Sequence, residues 1–97
     1  MSHTITDDIL HTVTAELGEK YDTFDSHAVI FAIMRQYPRE YVTDLYGFVS
    51  SPDPILSLHA SLGKRLLGLD TLTPTERVKS MNVRGEENEN QQWRRKK

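Results

Sequence analysis

The 97-residue sequence contains no cysteine, which excludes a disulfide framework and thiolate metal ligands. It also has no long hydrophobic run, since its longest apolar stretch, residues 28–34, is far too short to span a bilayer. The N-terminus lacks the basic segment and apolar segment of a secretory signal peptide. These absences predict a cytoplasmic protein with no membrane association.

Catalytic motifs are missing as well. The chain has no P-loop, no nucleophile elbow and no Gly-rich dinucleotide fingerprint. Its four histidines show no metal-ligand spacing, and Asp7 and Asp8 beside His11 fit the first turn of a helix better than a metal site. In Asp25-Ser26-His27, helix capping explains the first two residues. We therefore expect no enzyme, no metal, no cofactor and no small-molecule substrate.

The charge is unevenly distributed along what the length predicts to be a single domain, residues 1–97. The net charge is −2, which argues weakly against bulk nucleic-acid binding. Residues 1–62 hold three cations and nine acids, a charge of −6, whereas residues 63–97 hold nine cations and five acids, a charge of +4. A chain polarised in this way presents its positive part to a partner.

Two helices are predicted in the first half. Thr6 can cap a helix over residues 6–18, with Gly18 as its stop, and KYDTF after it can form one short strand. Asp25 or Ser26 can cap the next helix, which Pro38 either kinks or ends. The apolar periodicity resumes after Pro38, so residues 26–49 form either one kinked helix or two.

The clearest helix start is Asp53 followed by Pro54 at the first helical position. Its apolar positions recur at helical spacing and predict one buried face: Ile55, Leu58, Leu62, Leu66 and Leu69. The other face carries small polar and cationic side chains.

The C-terminal quarter predicts a hairpin. Thr73 to Glu76 matches a capping box, so a helical turn is expected there. Residues 78–83 then alternate, a Gly85-containing turn follows, and residues 91–95 can return as a second strand. Trp93 is expected in the core, although base stacking is the other interpretation. Whether residues 84–97 are ordered or partly flexible stays open.

The order helix, short extended piece, helix, helix, hairpin resembles a winged helix-turn-helix domain. The fold expected is mainly α, with three to four helices plus a C-terminal two-stranded wing. The resemblance implies that the helix before the hairpin enters the DNA major groove and that the hairpin touches the flanking backbone. It therefore implies a non-enzymatic regulatory domain that binds nucleic acid, most simply duplex DNA.

The residues at these positions have suitable chemistry. Hydroxyl, imidazole and cationic groups can contact base edges or phosphates, which predicts a groove-facing set of Ser57, His59, Ser61, Lys64 and Arg65. Cations in and after the hairpin predict backbone contacts from Lys79, Arg84, Arg94 and Arg95. An ordinary solvated helix face is the simpler interpretation of the first set.

A protein-interaction or oligomerisation module is the alternative. Segment 37–48 holds four aromatic residues that a core this small is not expected to bury together: Tyr37, Tyr41, Tyr46 and Phe48. A homodimer through this segment would also double the positive surface, as in dimeric DNA binders.

Overall fold

The computed structural model describes residues 3–96, which form four helices and three strands. In chain order these are α1 (Asp7–Lys20), β1 (Phe24–Asp25), α2 (Ser26–Gln36), α3 (Pro38–Tyr46), α4 (Pro54–Leu67), β2 (Leu72–Met81) and β3 (Glu87–Arg95). Within this part of the chain, no helix is both long enough and apolar enough to cross a membrane.

The three strands form one antiparallel sheet in the order β1-β3-β2. The predicted hairpin is present, but the expected two-stranded wing is wrong, because β1 adds a third strand. Phe24 aligns with Trp93 and Asp25 with Gln92. The fold is therefore mixed α/β, and its element order is compatible with a winged-helix-like arrangement. The short KYDTF segment supplies this strand. Strand β3 pairs with β2 along one edge only, so the backbone groups on its other edge can pair with β1.

Helix α1 begins at the predicted cap and runs past the predicted stop. The Thr6 hydroxyl accepts a hydrogen bond from the Ile9 amide, whereas Gly18 lies inside the helix, which continues to Lys20. A Cβ added at Gly18 would lie 2.9 Å from Cδ of Arg95. Gly18 therefore allows the end of β3 to approach the helix closely, which explains a glycine at this position better than helix termination does.

Pro38 separates two helices, α2 and α3. Tyr37 leaves the helical conformation at φ −130° and ψ 56°, and Pro38 opens α3 at its first turn. This position suits proline, since its missing N–H has no partner within the first turn of a helix. Asp25 caps α2 by accepting from the Ala28 amide at 2.9 Å.

Helix α4 begins as predicted, with Asp53 accepting from the Leu56 amide and Pro54 in the first turn. Four of the five predicted core-facing side chains are buried, namely Leu58, Leu62, Leu66 and, just beyond the helix end, Leu69. The prediction is wrong for Ile55, which is only half-buried.

The helical turn predicted at residues 73–76 is wrong, because these residues belong to β2. Leu72 is buried and pairs with Arg95, so the strand is already anchored where the capping box would begin. Pro74 is accommodated because β2 is an edge strand. The register shifts between Pro74 and Arg77, which places a bulge at Thr75 and Glu76.

One hydrophobic core lies between the helices and the sheet. Its members come from all four helices and all three strands, and Trp93 on β3 is only 2 % exposed. The prediction that Trp93 is a core residue is confirmed. Residues 87–95 form strand β3, so most of the C-terminal segment belongs to the sheet, and Lys97 lies outside the described residues.

Candidate functional site

An open groove separates α4 from the β2–β3 hairpin. The hairpin begins just after the C-terminal end of α4, and its tip lies beside the N-terminal end of α4. The helix and the hairpin therefore form the two facing walls of the groove. His27, Ile30 and Trp93 contribute to the floor. The groove has a volume of about 680 Å³, within the usual range of binding pockets. We refer to it as the α4–hairpin groove.

A polar cluster holds the hairpin against the start of α2. The Asn90 side chain accepts from the His27 amide at 2.9 Å and donates to the Val78 carbonyl and the Ser80 hydroxyl. Nδ1 of His27 lies 2.7 Å from the same Ser80 hydroxyl. Because Asn90 is buried and its amide is fully used, this cluster positions one groove wall.

The indole of Trp93 reinforces this attachment. Its Nε1–H donates to the Ser26 hydroxyl at 2.9 Å, and that hydroxyl donates to the Gln91 carbonyl at 3.2 Å. A buried tryptophan with its N–H satisfied anchors β3 to α2. Ser26 and His27 therefore serve the packing of the hairpin, while Asp25 caps the helix.

The hairpin tip is tied to the start of α4. The Arg84 guanidinium makes two hydrogen bonds to the Asp53 carboxylate, one of them 3.0 Å between Nη1 and Oδ2. This side-chain contact, together with the backbone amide of Leu56, holds the pKa of Asp53 below its usual value. The turn itself is shaped by Asn82, whose Oδ1 accepts from two backbone amides, and by Gly85 at φ 79°. Arg84, a predicted DNA contact, is thus already paired.

The predicted groove-facing residues of α4 lie on two different sides of the helix. Ser57, Ser61 and Arg65 recur every four residues on the side away from the hairpin. Ser57 lies 2.6 Å from the Ser51 hydroxyl, and Arg65 forms a 2.9 Å ion pair with Asp7. Only His59 and Lys64 line the α4–hairpin groove.

His59 is occupied by a contact with α3. Its Nε2 lies 2.7 Å from the Tyr41 hydroxyl. Burial, with smaller contributions from nearby His27 and Arg84, lowers the pKa of His59 to about 4. The imidazole is therefore neutral at physiological pH and adds no charge to the groove.

The remaining predicted cations are dispersed. Lys79 is exposed on β2 opposite Glu89. Arg94 and Arg95 lie at the far end of β3, beside Gly18 and Asp22. The structure therefore does not bring the nine predicted contact residues onto one surface.

The solvent face of α4 is apolar, which the sequence interpretation missed. Leu56 is 62 % exposed and Leu67 is 65 % exposed, with exposed Ala60 and half-buried Gly63 between them. All four line the groove. We refer to Leu56, Ala60, Gly63 and Leu67 as the α4 stripe. Their spacing of 4, 3 and 4 was visible in the sequence, as a second apolar face beside the core leucines.

The groove walls also carry charge. Lys64 and Arg77 are exposed toward the α4 C-terminal half, whereas Glu86 and Glu89 are exposed toward the hairpin tip. The two ion pairs among residues 3–96 are Arg65–Asp7 and Arg84–Asp53, so none of these four groups forms an ion pair with another described residue. Glu89 does have a cation opposite it across the hairpin, Lys79.

The four aromatic residues proposed as an alternative docking surface differ in their exposure. Tyr41 is only 6 % exposed, so the expectation that it is displayed is wrong, whereas Tyr37 and Phe48 are partly buried and pack against the core. Helix α3 can cover the core here because it folds back over α2 and α4. Tyr46 is 75 % exposed and is flanked by exposed Val42 and Val49.

No cluster of three or more His, Asp or Glu side chains suited to a metal occurs among the residues that the structure describes. No protein-family model, curated protein sequence or solved structure matches the chain.

Proposed function

We propose that this protein is a non-enzymatic protein-interaction domain that binds a segment of a partner in the α4–hairpin groove. The α4 stripe is the observation that carries this proposal. Two leucines more than 60 % exposed on one helix, within a concave site, form an apolar surface of the kind that marks interaction sites. Leu56 and Leu67 are the expected anchors, with Ala60 and Gly63 allowing close approach between them.

The surroundings of the stripe support a preformed site. The Asn90 cluster holds one wall at α2, and Arg84 ties the hairpin tip to Asp53. Little rearrangement is needed before a partner binds, which lowers the entropic cost of association. Polar and charged groups surround the apolar centre, as in protein interfaces.

Duplex DNA binding is the second candidate, and it keeps two supports. The element order resembles that of winged helix-turn-helix domains, and Lys64, Arg77 and Lys79 are exposed cations on the walls of the groove and the hairpin. It ranks second because Arg65 and Arg84 are engaged by carboxylates and the groove-facing side of α4 offers leucines to bases. Fold alone does not choose between DNA and protein partners.

A peptide selection tests the first candidate. A library of random linear peptides is selected on the wild-type protein, and enriched peptides are measured against Leu56→Lys with Leu67→Lys. We expect at least about tenfold weaker binding, because loss of central anchors commonly costs more than ~1 kcal/mol each. Val42→Lys is the matched control, since Val42 is equally exposed but lies on α3 outside the groove.

A DNA titration separates the two candidates. Fluorescence anisotropy with random duplex DNA is measured at low and moderate salt for wild type and for Lys64→Ala with Arg77→Ala. Salt-sensitive binding lost in this variant but retained in Leu56→Lys would replace the proposal with DNA binding. Peptides whose binding ignores both leucines would also overturn it.

A further inference from the structure

The charges of the α4–hairpin groove are segregated along its length. Arg77 pairs with Gln91, nearer the base of the hairpin, while Glu89 and Glu86 lie progressively closer to the tip. Because the tip contacts Asp53 at the start of α4, the acidic end of the groove adjoins the α4 N-terminus. Lys64 lies in the C-terminal half of α4, so the cationic end adjoins the α4 C-terminus.

The charges of Arg84 and Asp53 cancel within their ion pair, so the pair does not change the separation of positive and negative charge along the groove. Neutral His59 does not alter it either. On the floor, Ile30 and Trp93 carry no charge, and Nδ1 of His27 is engaged by the Ser80 hydroxyl. Lys79 lies opposite Glu89 on the hairpin but does not line the groove, so the groove lining combines an apolar stripe with a positive end and a negative end.

Helix α4 sets the length of an occupant. Its 14 residues span about 21 Å, which matches an α-helix of similar length or a much shorter extended segment. A helix carries an apolar stripe of its own at i, i+4 and i+7, which can interdigitate with the α4 stripe.

We propose that the occupant is an amphipathic helix of a partner protein, with acidic residues in its first turn and basic residues in its last turn, bound antiparallel to α4. This inference rests on the proposed function. Its acidic N-terminus lies beside Lys64 and Arg77, and its basic C-terminus lies beside Glu86 and Glu89. Acidic first turns and basic last turns also suit the dipole of the bound helix itself. Its apolar side contacts Leu56, Ala60 and Leu67.

Two synthetic peptides test the orientation. Both are helical peptides with the same apolar face of leucine and alanine. One has Glu in the first turn and Lys in the last turn, and the other has these residues exchanged. We expect the wild-type protein to bind the first about fivefold more tightly, since several exposed ion pairs each contribute modestly. Binding is measured by fluorescence anisotropy at low and high salt, and the preference should shrink at high salt.

The two peptides differ in helicity as well as in charge order, since terminal charges interact with the helix dipole. A protein with exchanged groove charges separates these two causes. Lys64→Glu, Arg77→Glu, Glu86→Lys and Glu89→Lys together reverse the groove, and all four positions are exposed, so folding is expected to be retained. The preference between the two peptides should then reverse. Circular dichroism confirms that the variant is folded, and pairwise exchange of Lys64 with Glu86 alone provides a second variant.

The outcomes separate the two proposals. Equal binding of both peptides to both proteins, weakened by Leu56→Lys, would overturn the orientation and keep the protein-interaction function. If neither peptide binds, or if binding is unchanged by Leu56→Lys, both the protein-interaction function and the proposed orientation would be overturned. Sedimentation as a dimer that Leu56→Lys dissociates would overturn the partner helix and assign the groove to a second copy of the chain.

Discussion

The Tyr41 hydroxyl lies 2.7 Å from Nε2 of His59, which joins α3 to α4. The rings are tilted by 51° with centroids 5.8 Å apart. Burial raises the pKa of Tyr41, so its hydroxyl stays protonated and can donate to the neutral imidazole. In this contact one predicted docking residue, Tyr41, packs against one predicted DNA contact, His59, which also lines the α4–hairpin groove.

This pair predicts a specific loss of stability in acid. The folded pKa of His59 is about 4, below the unfolded value of ~6.5, so the unfolded chain binds the proton more readily. The contribution of His59 is complete above pH ~6.5 and is lost as the pH falls toward 4. Between about pH 7.5 and about pH 5 the free energy of unfolding should fall by about 1–2 kcal/mol on this account, because solvent at the partly buried ring reduces the full value.

Urea unfolding of wild type and His59→Gln at the two pH values measures that contribution. The variant cannot titrate at this position, so its stability should fall less over the same interval. Other groups titrate in both proteins, and only the difference between them is diagnostic. Equal pH dependence would show that His59 is not held neutral.

Replacement of Trp93 by Phe should destabilise the protein by about 1–3 kcal/mol. The variant leaves part of the indole volume empty and removes the donor to Ser26. Circular dichroism during urea unfolding provides the measurement, because Trp93 is the sole tryptophan and its fluorescence is lost. Tyr46→Phe, at a residue 75 % exposed, should change stability by no more than ~0.5 kcal/mol. Comparable effects of the two substitutions would contradict the placement of Trp93.

Two glycines should respond to alanine with opposite signs. A Cβ at Gly63 meets no atom within 4 Å, and the residue lies inside α4, so Gly63→Ala should stabilise by about 0.5–1 kcal/mol. Gly85 has φ 79°, where alanine is strained, so Gly85→Ala should destabilise by about 1 kcal/mol or more. Thermal unfolding of both variants tests the pair, and a destabilising Gly63→Ala would show that α4 is packed differently.

Loss of Arg84 should raise the pKa of Asp53. The guanidinium is the first cause of the lowered Asp53 pKa, so Arg84→Gln moves it back toward the ordinary carboxylate value. An NMR pH titration of the Asp53 carboxyl carbon detects the change. Arg65→Gln is the matched control, because Arg65 pairs with Asp7 and not with Asp53. An unchanged Asp53 pKa in Arg84→Gln would mean that the hairpin tip is not tied to α4 in solution.

Amide hydrogen exchange on Arg84→Gln extends the same comparison to the hairpin. Residues 82–87 should exchange faster than in wild type, since the tip loses its contact with the start of α4. Amides of α1 should be unaffected, and a uniform increase across the chain would indicate global destabilisation instead.

Local sequence signals predicted the helices well because their causes are local. Thr6, Asp25 and Asp53 cap from within three residues of the amides they bind, and Pro54 suits a first turn whatever surrounds it. The core leucines of α4 follow the helical repeat in the same way. Even the hairpin was readable from its alternation and from Gly85.

The errors arose where distant residues decide the outcome. β1 becomes a strand because β3 passes beside it, about 70 residues later in the chain. Thr73 to Glu76 carries a capping-box pattern, but the buried Leu72 and its pairing with Arg95 commit the segment to β2. Gly18 resembles a helix stop, yet it accommodates the Arg95 side chain.

The candidate site depended on the same division. The sequence by itself determined where α4 begins and which of its leucines face the core, since these follow from the cap and the helical periodicity. It also indicated that the large aromatic side chain of Trp93 is buried. Only the tertiary structure decided which polar groups are already engaged, because Asp7, Tyr41 and Asp53 reach their partners across the fold. Ser51 reaches Ser57 from the loop that precedes α4. That engagement occupies four of the nine predicted DNA contacts, whereas the α4 stripe stays exposed in the groove.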